Sequence, residues 1–162
     1  MRPSLPCEPT HNLGGDGGGD TGAVAPLALD PGTVIREGPR WRVAVNRNQD
    51  LPGKVVLVLR REAGDVLEVT GEEWASFTDE LRRVRAAVDA LFQPDAWNHA
   101  FLMNLDPQVH CHVVPRYAGE RRWGGLVFTD PHFGAVFGPE QRLLPAPQLA
   151  ALRDEIRARL PG

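Results

Sequence analysis

The sequence has little cysteine, little net charge and no long apolar run, and each shortage excludes a class of protein. Two cysteines among 162 residues are too few for a disulfide framework, which favours a reducing, cytoplasmic location. A formal net charge of −3 predicts no surface that attracts nucleic acid by charge alone. No apolar run reaches membrane-spanning length, and the first residues lack the apolar stretch of a secretory signal. We therefore expect a cytoplasmic protein with no nucleic-acid or membrane partner.

The composition divides the chain into two parts. Residues 1–30 are poor in large apolar side chains and rich in glycine, above all between 12 and 20. Such a segment buries too little apolar surface to offset the entropy lost on ordering. We predict a disordered Gly-rich tail over 1–30 and a single domain over 31–162, which is long enough for one hydrophobic core.

Hydrophobic periodicity predicts both strands and helices in the second part. Thr70 and Glu73 form a capping-box pattern that opens a helix, and Pro94 ends it. A second helix is predicted over 145–160, and the predicted strands are 33–37, 41–45, 54–59, 98–104 and 108–116. This order predicts the α+β class: an antiparallel sheet of about five strands with a packed helix.

Two histidines one residue apart are the most informative chemical feature. Because side chains alternate along a strand, Gln108, His110 and His112 share one face, and apolar side chains such as Val109 and Cys111 share the other. Imidazoles titrate near neutral pH, so a rigid pair of them can attack, transfer protons or bind a metal. The strand is therefore the candidate site.

The segment Gln108-Val109-His110-Cys111-His112-Val113-Val114-Pro115-Arg116 resembles the motif of the histidine triad (HIT) superfamily. That family carries three alternating histidines on a strand, often followed by Pro-Arg. Upstream, the segment from Asn46 to Val58 resembles the family's nucleoside-binding strand and its Pro-Gly-His turn, and a capped helix follows in the same order. The chain after 117 resembles a bacterial subgroup. The resemblance implies a HIT-like fold over about 33–117, roughly half the chain.

The resemblance also implies a function and a set of site residues. It implies a nucleotide hydrolase or nucleotidyl transferase that cleaves at the α-phosphorus of a dinucleoside polyphosphate or a nucleoside phosphoramidate, without a cofactor. His110 matches the nucleophile, which would carry the nucleotidyl group in a covalent intermediate. His112 matches the histidine that hydrogen-bonds the phosphate, and Asn46 matches the residue that holds the ribose.

The remaining candidate residues stand where this chain departs from the family pattern. Gln108 replaces the first histidine, and its amide can still orient a neighbour. Lys54 replaces the histidine of the Pro-Gly-His turn and can meet phosphate as a point charge. The family's Gly-Gln-Ser/Thr run is missing, so we take Asn104 as its substitute. Arg116, after Pro115, is a candidate phosphate contact.

Other interpretations of the same residues remain open. A chain with an altered triad can be a non-catalytic nucleotide-binding module, or an interaction protein that keeps only the fold. A His-x-His pair can also present two zinc ligands, although neither His99 nor His132 has a fixed position as a third. The family resemblance further implies a homodimer, in which two sheets join at their edges.

Overall fold

The chain is described here by a computed structural model that covers residues 29–162. The predicted tail over 1–30 therefore falls outside the described residues, except for its last two positions. The two helices are α1 (Gly71–Phe92) and α2 (Ala146–Arg157), and single turns of 3₁₀ helix lie at Pro31–Thr33 and Val66–Glu68. The strands are β1 (Val34–Glu37), β2 (Trp41–Val45), β3 (Val55–Leu59), β4 (Ala96–Ala100), β5 (His110–Arg116), β6 (Arg121–Trp123) and β7 (Leu126–Phe128).

Five of the strands form one antiparallel sheet in the order β1-β2-β3-β5-β4. Strand β3 lies at the centre, and all five of its residues are buried. The predicted α+β class, with five antiparallel strands and a packed helix, is confirmed.

Helix α1 begins at the predicted capping box. The Thr70 side chain accepts from the Glu73 backbone N–H, and the Glu73 carboxylate accepts from the Thr70 backbone N–H. Its apolar stripe packs on one face of the sheet, where the main core includes Phe77 and Val88 of the helix and Leu57 of the sheet. Helix α2 adds Leu152 to the same core. One face of the sheet is thus covered by helices, which leaves the opposite face for the site.

Two connections differ from the prediction. Strand β4 ends at Ala100 rather than at 104, and an irregular segment over 101–109, with Met103 at φ 37°, replaces the predicted tight turn. Strands β6 and β7, which we did not predict, form a hairpin around Gly124-Gly125, both at positive φ. A Gly-Gly pair favours the tight hairpin turn, so the signal was present in the sequence.

None of the helices described between 29 and 162 combines the length and the apolarity that crossing a membrane requires.

Candidate active site

His110 and His112 lie side by side on the face of the sheet turned away from the helices. Their register partners on β3 are Val58 and Val56, which belong to a small apolar cluster separate from the main core. Cys111, between the histidines, points into the main core and is fully buried. Burial raises the pKa of its thiol to about 12, so Cys111 contributes packing and not a nucleophile.

A chain of hydrogen bonds fixes which nitrogen of His110 carries the lone pair. His110 Nδ1 lies 2.7 Å from the backbone carbonyl oxygen of Gln108. Because a carbonyl only accepts, Nδ1 carries the hydrogen, and in the neutral ring the lone pair is on Nε2. His110 Nε2 lies 3.2 Å from Nε2 of His112. The lone pair of His110 therefore points at the neighbouring ring and the space beside it.

Asn46 fixes the complementary tautomer of His112. The backbone N–H of Asn48 donates to Asn46 Oδ1 at 2.9 Å, and this donor cannot be reversed. The amide nitrogen of Asn46 therefore faces His112 Nδ1, 3.2 Å away, and donates to it. With Nδ1 accepting, the hydrogen of His112 is on Nε2 and points towards His110. The structure thus gives Asn46 a contact with the histidine pair that the sequence did not predict.

The surroundings of His112 oppose a positive charge on its ring. Burial, together with the charges of His110 and Lys54, lowers the pKa of His112 to about 4. A neutral ring keeps one donor, Nε2–H, and one acceptor. At neutral pH, His112 can therefore hydrogen-bond a phosphoryl oxygen without carrying charge.

The loop between β2 and β3 carries both Asn46 and Lys54. Gln49, which is fully buried, donates to the backbone carbonyls of Asn46 at 2.6 Å and Lys54 at 2.8 Å, and it accepts from the backbone N–H of Gly53. The Lys54 ammonium lies 2.7 Å from a carboxylate oxygen of Asp50, and its side chain is only 8% exposed. The loop is therefore rigid, and it holds a buried cation close to the histidine pair.

Two cavities meet at Asn46 and His112. Cavity 1 has a volume of about 540 Å³ and is lined by Leu29, Asp30, Thr33, Val45, Asn46, Arg47, Val56, Asp106, His110 and His112. Cavity 2 has a volume of about 270 Å³ and is lined by Asn46, Asn48, Lys54, Leu102, His112, Val114 and residues 137–141. The first lies within the usual range for small-molecule sites.

The Gln108 side chain lies apart from the histidine rings. Its amide nitrogen donates to the backbone carbonyls of Leu59 at 2.8 Å and Arg61 at 2.7 Å, and its oxygen accepts from the backbone N–H of Ala63 at 3.3 Å. The side chain is fully buried. Only the backbone carbonyl of Gln108 contacts His110, so the expected orienting contact comes from the main chain.

Arg116 does not face either cavity, and it is 2% exposed. It forms a bidentate pair with Asp130 at 2.7 and 3.0 Å, and it donates to Asn98 Oδ1 and to the backbone carbonyls of His132 and Ala135. A guanidinium has five N–H groups, and these contacts use all of them. Arg116 therefore has no free N–H group for the expected phosphate contact. Its hydrogen bonds instead connect β5 to the segment after β7.

Asn104 is exposed in the 101–109 connection and does not line either cavity. From that connection Asp106 lines cavity 1, where its carboxylate also accepts from the backbone N–H of Gln108 at 3.0 Å. Asp30, Thr33 and Arg47 also line cavity 1 and were not predicted. The position of Arg47 next to Asn46 was a usable signal, whereas nothing in the sequence indicates that Asp30 reaches the site.

Within residues 29–162, no group of three His, Cys, Asp or Glu side chains has the spacing of a metal site. His132 instead contacts the Glu140 carboxylate at 2.8 Å, and His99 lies on the edge strand β4.

No family model and no curated protein matches this sequence. Solved structures do match. A histidine triad protein from Bradyrhizobium japonicum is 24% identical, with a TM-score of 0.61 over 84% of this chain and 99% of that one. A diadenosine triphosphate hydrolase from Plasmodium falciparum is 14% identical, with a TM-score of 0.62 over 82% and 80%. A zinc-bound histidine triad family protein from Mycobacterium smegmatis is 17% identical, with a TM-score of 0.52 over 86% and 87%.

These likenesses define the class of protein: the chain has the histidine triad fold. The resemblance inferred from the strand motif is thereby confirmed at the level of the fold. The matched length exceeds the 33–117 region that the motifs covered, since the Bradyrhizobium protein is matched over 84% of this chain.

Proposed function

We propose that this protein is a nucleotide hydrolase or nucleotidyl transferase that acts at an α-phosphorus through His110. The observation that carries the proposal is the hydrogen-bond order across the pair. His110 Nδ1–H is held by a backbone carbonyl, and the Nε2 lone pair, which accepts from His112 Nε2–H, lies on the side of the ring pair that borders cavity 1. An oriented neutral imidazole is the nucleophile that such a displacement needs. One fold neighbour is a diadenosine triphosphate hydrolase, which is consistent with this class of reaction.

The reaction divides into two displacements. In the first, His110 Nε2 forms a bond to the α-phosphorus, and the bond to the leaving group breaks with its electron pair. In the second, the oxygen of a water molecule forms the new bond to phosphorus and the water proton passes to solvent, while the electron pair of the N–P bond returns to Nε2. His112 Nε2–H, released from His110 by the substrate, donates to a phosphoryl oxygen as charge builds there.

Cavity 1 is the proposed nucleoside site. Apolar side chains such as Leu29 and Val56 can contact a base, while Asp30 and Asp106 offer acceptors for ribose hydroxyls or an exocyclic amine. Asn46 remains a candidate for the ribose, because the amide that bonds His112 has a second N–H. Arg47 is the cation in the lining of this cavity.

A non-catalytic nucleotide-binding module is the second candidate. It is favoured by the engagement of Arg116 in a buried cluster and by the exposed position of Asn104. Neither residue is placed to contact the phosphates of a bound nucleotide, so those phosphates would have fewer protein contacts than the sequence analysis predicts.

Turnover of diadenosine triphosphate and adenosine 5′-phosphoramidate, by wild-type protein and by His110→Ala, tests the proposal. We expect wild-type turnover, an acid-labile nucleotidyl adduct on His110 by mass spectrometry after quenching, and a loss on the order of 10³-fold or more in the variant. Saturable binding without turnover would favour the module. Full activity of His110→Ala would refute the mechanism.

We also propose that the protein forms a homodimer. Strand β4 is an edge of the five-stranded sheet and has only half-buried or exposed residues. An open edge presents unpaired backbone groups that a second copy can pair with. Sedimentation velocity at micromolar concentration should give the mass of two chains, and a monomer would contradict the proposal.

A further inference from the structure

Cavity 1 extends across the strands from the histidine pair to the β1 edge of the sheet. His112 is the register partner of Val56 on β3. Val56 pairs in turn with Ala44 on β2, and Ala44 pairs with Val34 on β1. Neighbouring strands lie about 4.8 Å apart, so three steps place β1 about 14 Å from His112. The residues just before β1 that line this end are Leu29, Asp30 and Thr33. The cavity is therefore long enough for a nucleotide that lies across the strands.

The two ends of cavity 1 present different groups to a ligand. Asp106 belongs to the 101–109 connection, and its hydrogen bond to the Gln108 backbone N–H keeps it at the histidine end. Asp30 is the carboxylate of the β1 end. Between the ends lies an apolar floor, where Leu29 packs on the small apolar cluster of the sheet. A phosphate at the β1 end would be repelled by the Asp30 carboxylate, so this end suits a base.

The Asp30 carboxylate is held in place by the 3₁₀ turn that it caps. Its Oδ1 accepts from the Gly32 backbone N–H at 2.8 Å. The Asp30 backbone carbonyl accepts from Thr33 twice, from the backbone N–H at 2.8 Å and from the hydroxyl at 2.7 Å. Arg153 of α2 donates to the Gly32 carbonyl at 2.7 Å and fastens the turn to the helix. A carboxylate has about four acceptor positions, and the remaining ones can accept from a ligand in the cavity that Asp30 lines.

Guanine is the base whose hydrogen-bonding edge matches a carboxylate. Its N1–H and its 2-amino group are adjacent donors, so both can bond to one carboxylate, and these bonds are charge-assisted. Adenine places an acceptor, N1, beside its 6-amino donor, and the N1 lone pair would face a carboxylate oxygen. Cytosine alternates in the same way, and uracil has a single N–H between two carbonyls. A carboxylate at this end of the cavity therefore favours guanine by one hydrogen bond gained and one repulsion avoided.

We propose that Asp30 selects guanine, so the nucleotide that reaches the histidine pair is a guanine nucleotide. This inference rests on the proposed function and names the base of its substrate. The phosphorus lies at His110, the ribose lies beside Asn46, and the base lies on the floor that includes Leu29. Asp30 accepts from the base N1–H and 2-amino group, and it takes no part in the two displacements.

Calorimetry with GMP, IMP and AMP tests the assignment without turnover. IMP keeps the N1–H and the 6-carbonyl of guanine and lacks only the 2-amino group. We expect GMP to bind about tenfold more tightly than AMP, with IMP between them. A hydrogen bond to a charged group is worth a change in Kd of about tenfold or more, and the lower value applies because Asp30 is exposed to solvent.

Two variants separate the carboxylate of Asp30 from its capping role. Asp30→Asn keeps an oxygen that can accept from the Gly32 backbone N–H, so the turn is retained, but it removes the charge and one acceptor. It should lower the affinity for GMP about tenfold and leave the affinity for AMP unchanged or higher. Asp65→Asn is the matched control, because Asp65 is also exposed, also caps a 3₁₀ turn and lines neither cavity. It should leave all three affinities unchanged.

Equal affinity of the wild-type protein for GMP, IMP and AMP would overturn the assignment. An equal loss of GMP and AMP affinity in Asp30→Asn, at an unchanged melting temperature, would overturn it as well, because Asp30 would then contact the ribose that both nucleotides share.

Failure of this inference is distinguishable from failure of the proposed reaction. Selective binding of GMP without turnover of guanosine 5′-phosphoramidate would support the role of Asp30 and refute the reaction. Turnover of guanosine and adenosine 5′-phosphoramidates with equal kcat/KM would support the reaction and overturn the role of Asp30. Absence of binding by all three monophosphates would overturn both.

Discussion

Replacing Gln108 tests whether the residue in the place of the family's first histidine is catalytic or structural. Its fully buried amide makes three hydrogen bonds to backbone groups of Leu59, Arg61 and Ala63. Gln108→Met keeps the length of the side chain and removes all three, at about 1 kcal/mol each. Gln108→Ala adds a cavity, so we expect it to lower the free energy of unfolding by about 3–5 kcal/mol. That is a large part of the 5–15 kcal/mol typical of a domain.

Urea unfolding gives the stability, and initial rates at saturating nucleotide give kcat per folded molecule. We expect kcat in both variants to stay within about threefold of wild type, because the carbonyl that accepts from His110 Nδ1 belongs to the main chain and survives the substitution. A change in unfolding free energy below about 1 kcal/mol, together with a loss of kcat above tenfold, would refute this reasoning. Gln108 would then have a catalytic role and not a structural one.

Three further outcomes are expected. Asn46→Asp should move the ring hydrogen of His112 from Nε2 to Nδ1 and raise the pKa of the ring, because a carboxylate only accepts hydrogen bonds. Imidazole ¹⁵N NMR measures both the tautomer and the pKa. An unchanged tautomer would contradict the assignment. In the wild type, the His112 ring should stay neutral down to about pH 4 in an NMR titration. In the unfolded chain the same ring binds a proton near pH 6.5. His112 therefore lowers the free energy of unfolding as the pH falls from about 6.5 to 4. Arg116→Lys should cost about 3 kcal/mol or more in chemical denaturation, because one ammonium cannot satisfy Asp130 and three other acceptors; a cost below 1 kcal/mol would count against that buried cluster.

The local parts of the structure could be predicted from the sequence. Strand β2 and the start of α1 have the predicted bounds, because period-two alternation and the Thr70 capping box are local signals. The common face of His110 and His112 follows from the same alternation. The Gly124-Gly125 hairpin also has a local signal, which lies among aromatic and turn residues that obscure the short strands on either side.

The partners of the buried polar side chains could not be predicted. Arg116 has the sequence context of a phosphate ligand, but its acceptors come from Asn98 and from a segment after β7 that folds back over it. Gln108 contacts Leu59 and Arg61 because β3 and β5 pair, and that pairing is a property of the whole sheet. No periodicity along the chain contains such information.

The bond between the β2–β3 loop and the C-terminal part of the chain has a consequence for how this site can change in evolution. The Asn48 side chain accepts from the Arg142 backbone N–H and donates to the Glu140 backbone carbonyl, so one side chain holds a wall of cavity 2 in place. The His110 ring, by contrast, is carried by strand β5, which pairs with the central strand β3. Substitutions at 137–141 can therefore change the shape of cavity 2 while the histidine pair keeps its position, so this wall can vary in evolution independently of the strand that carries the histidines.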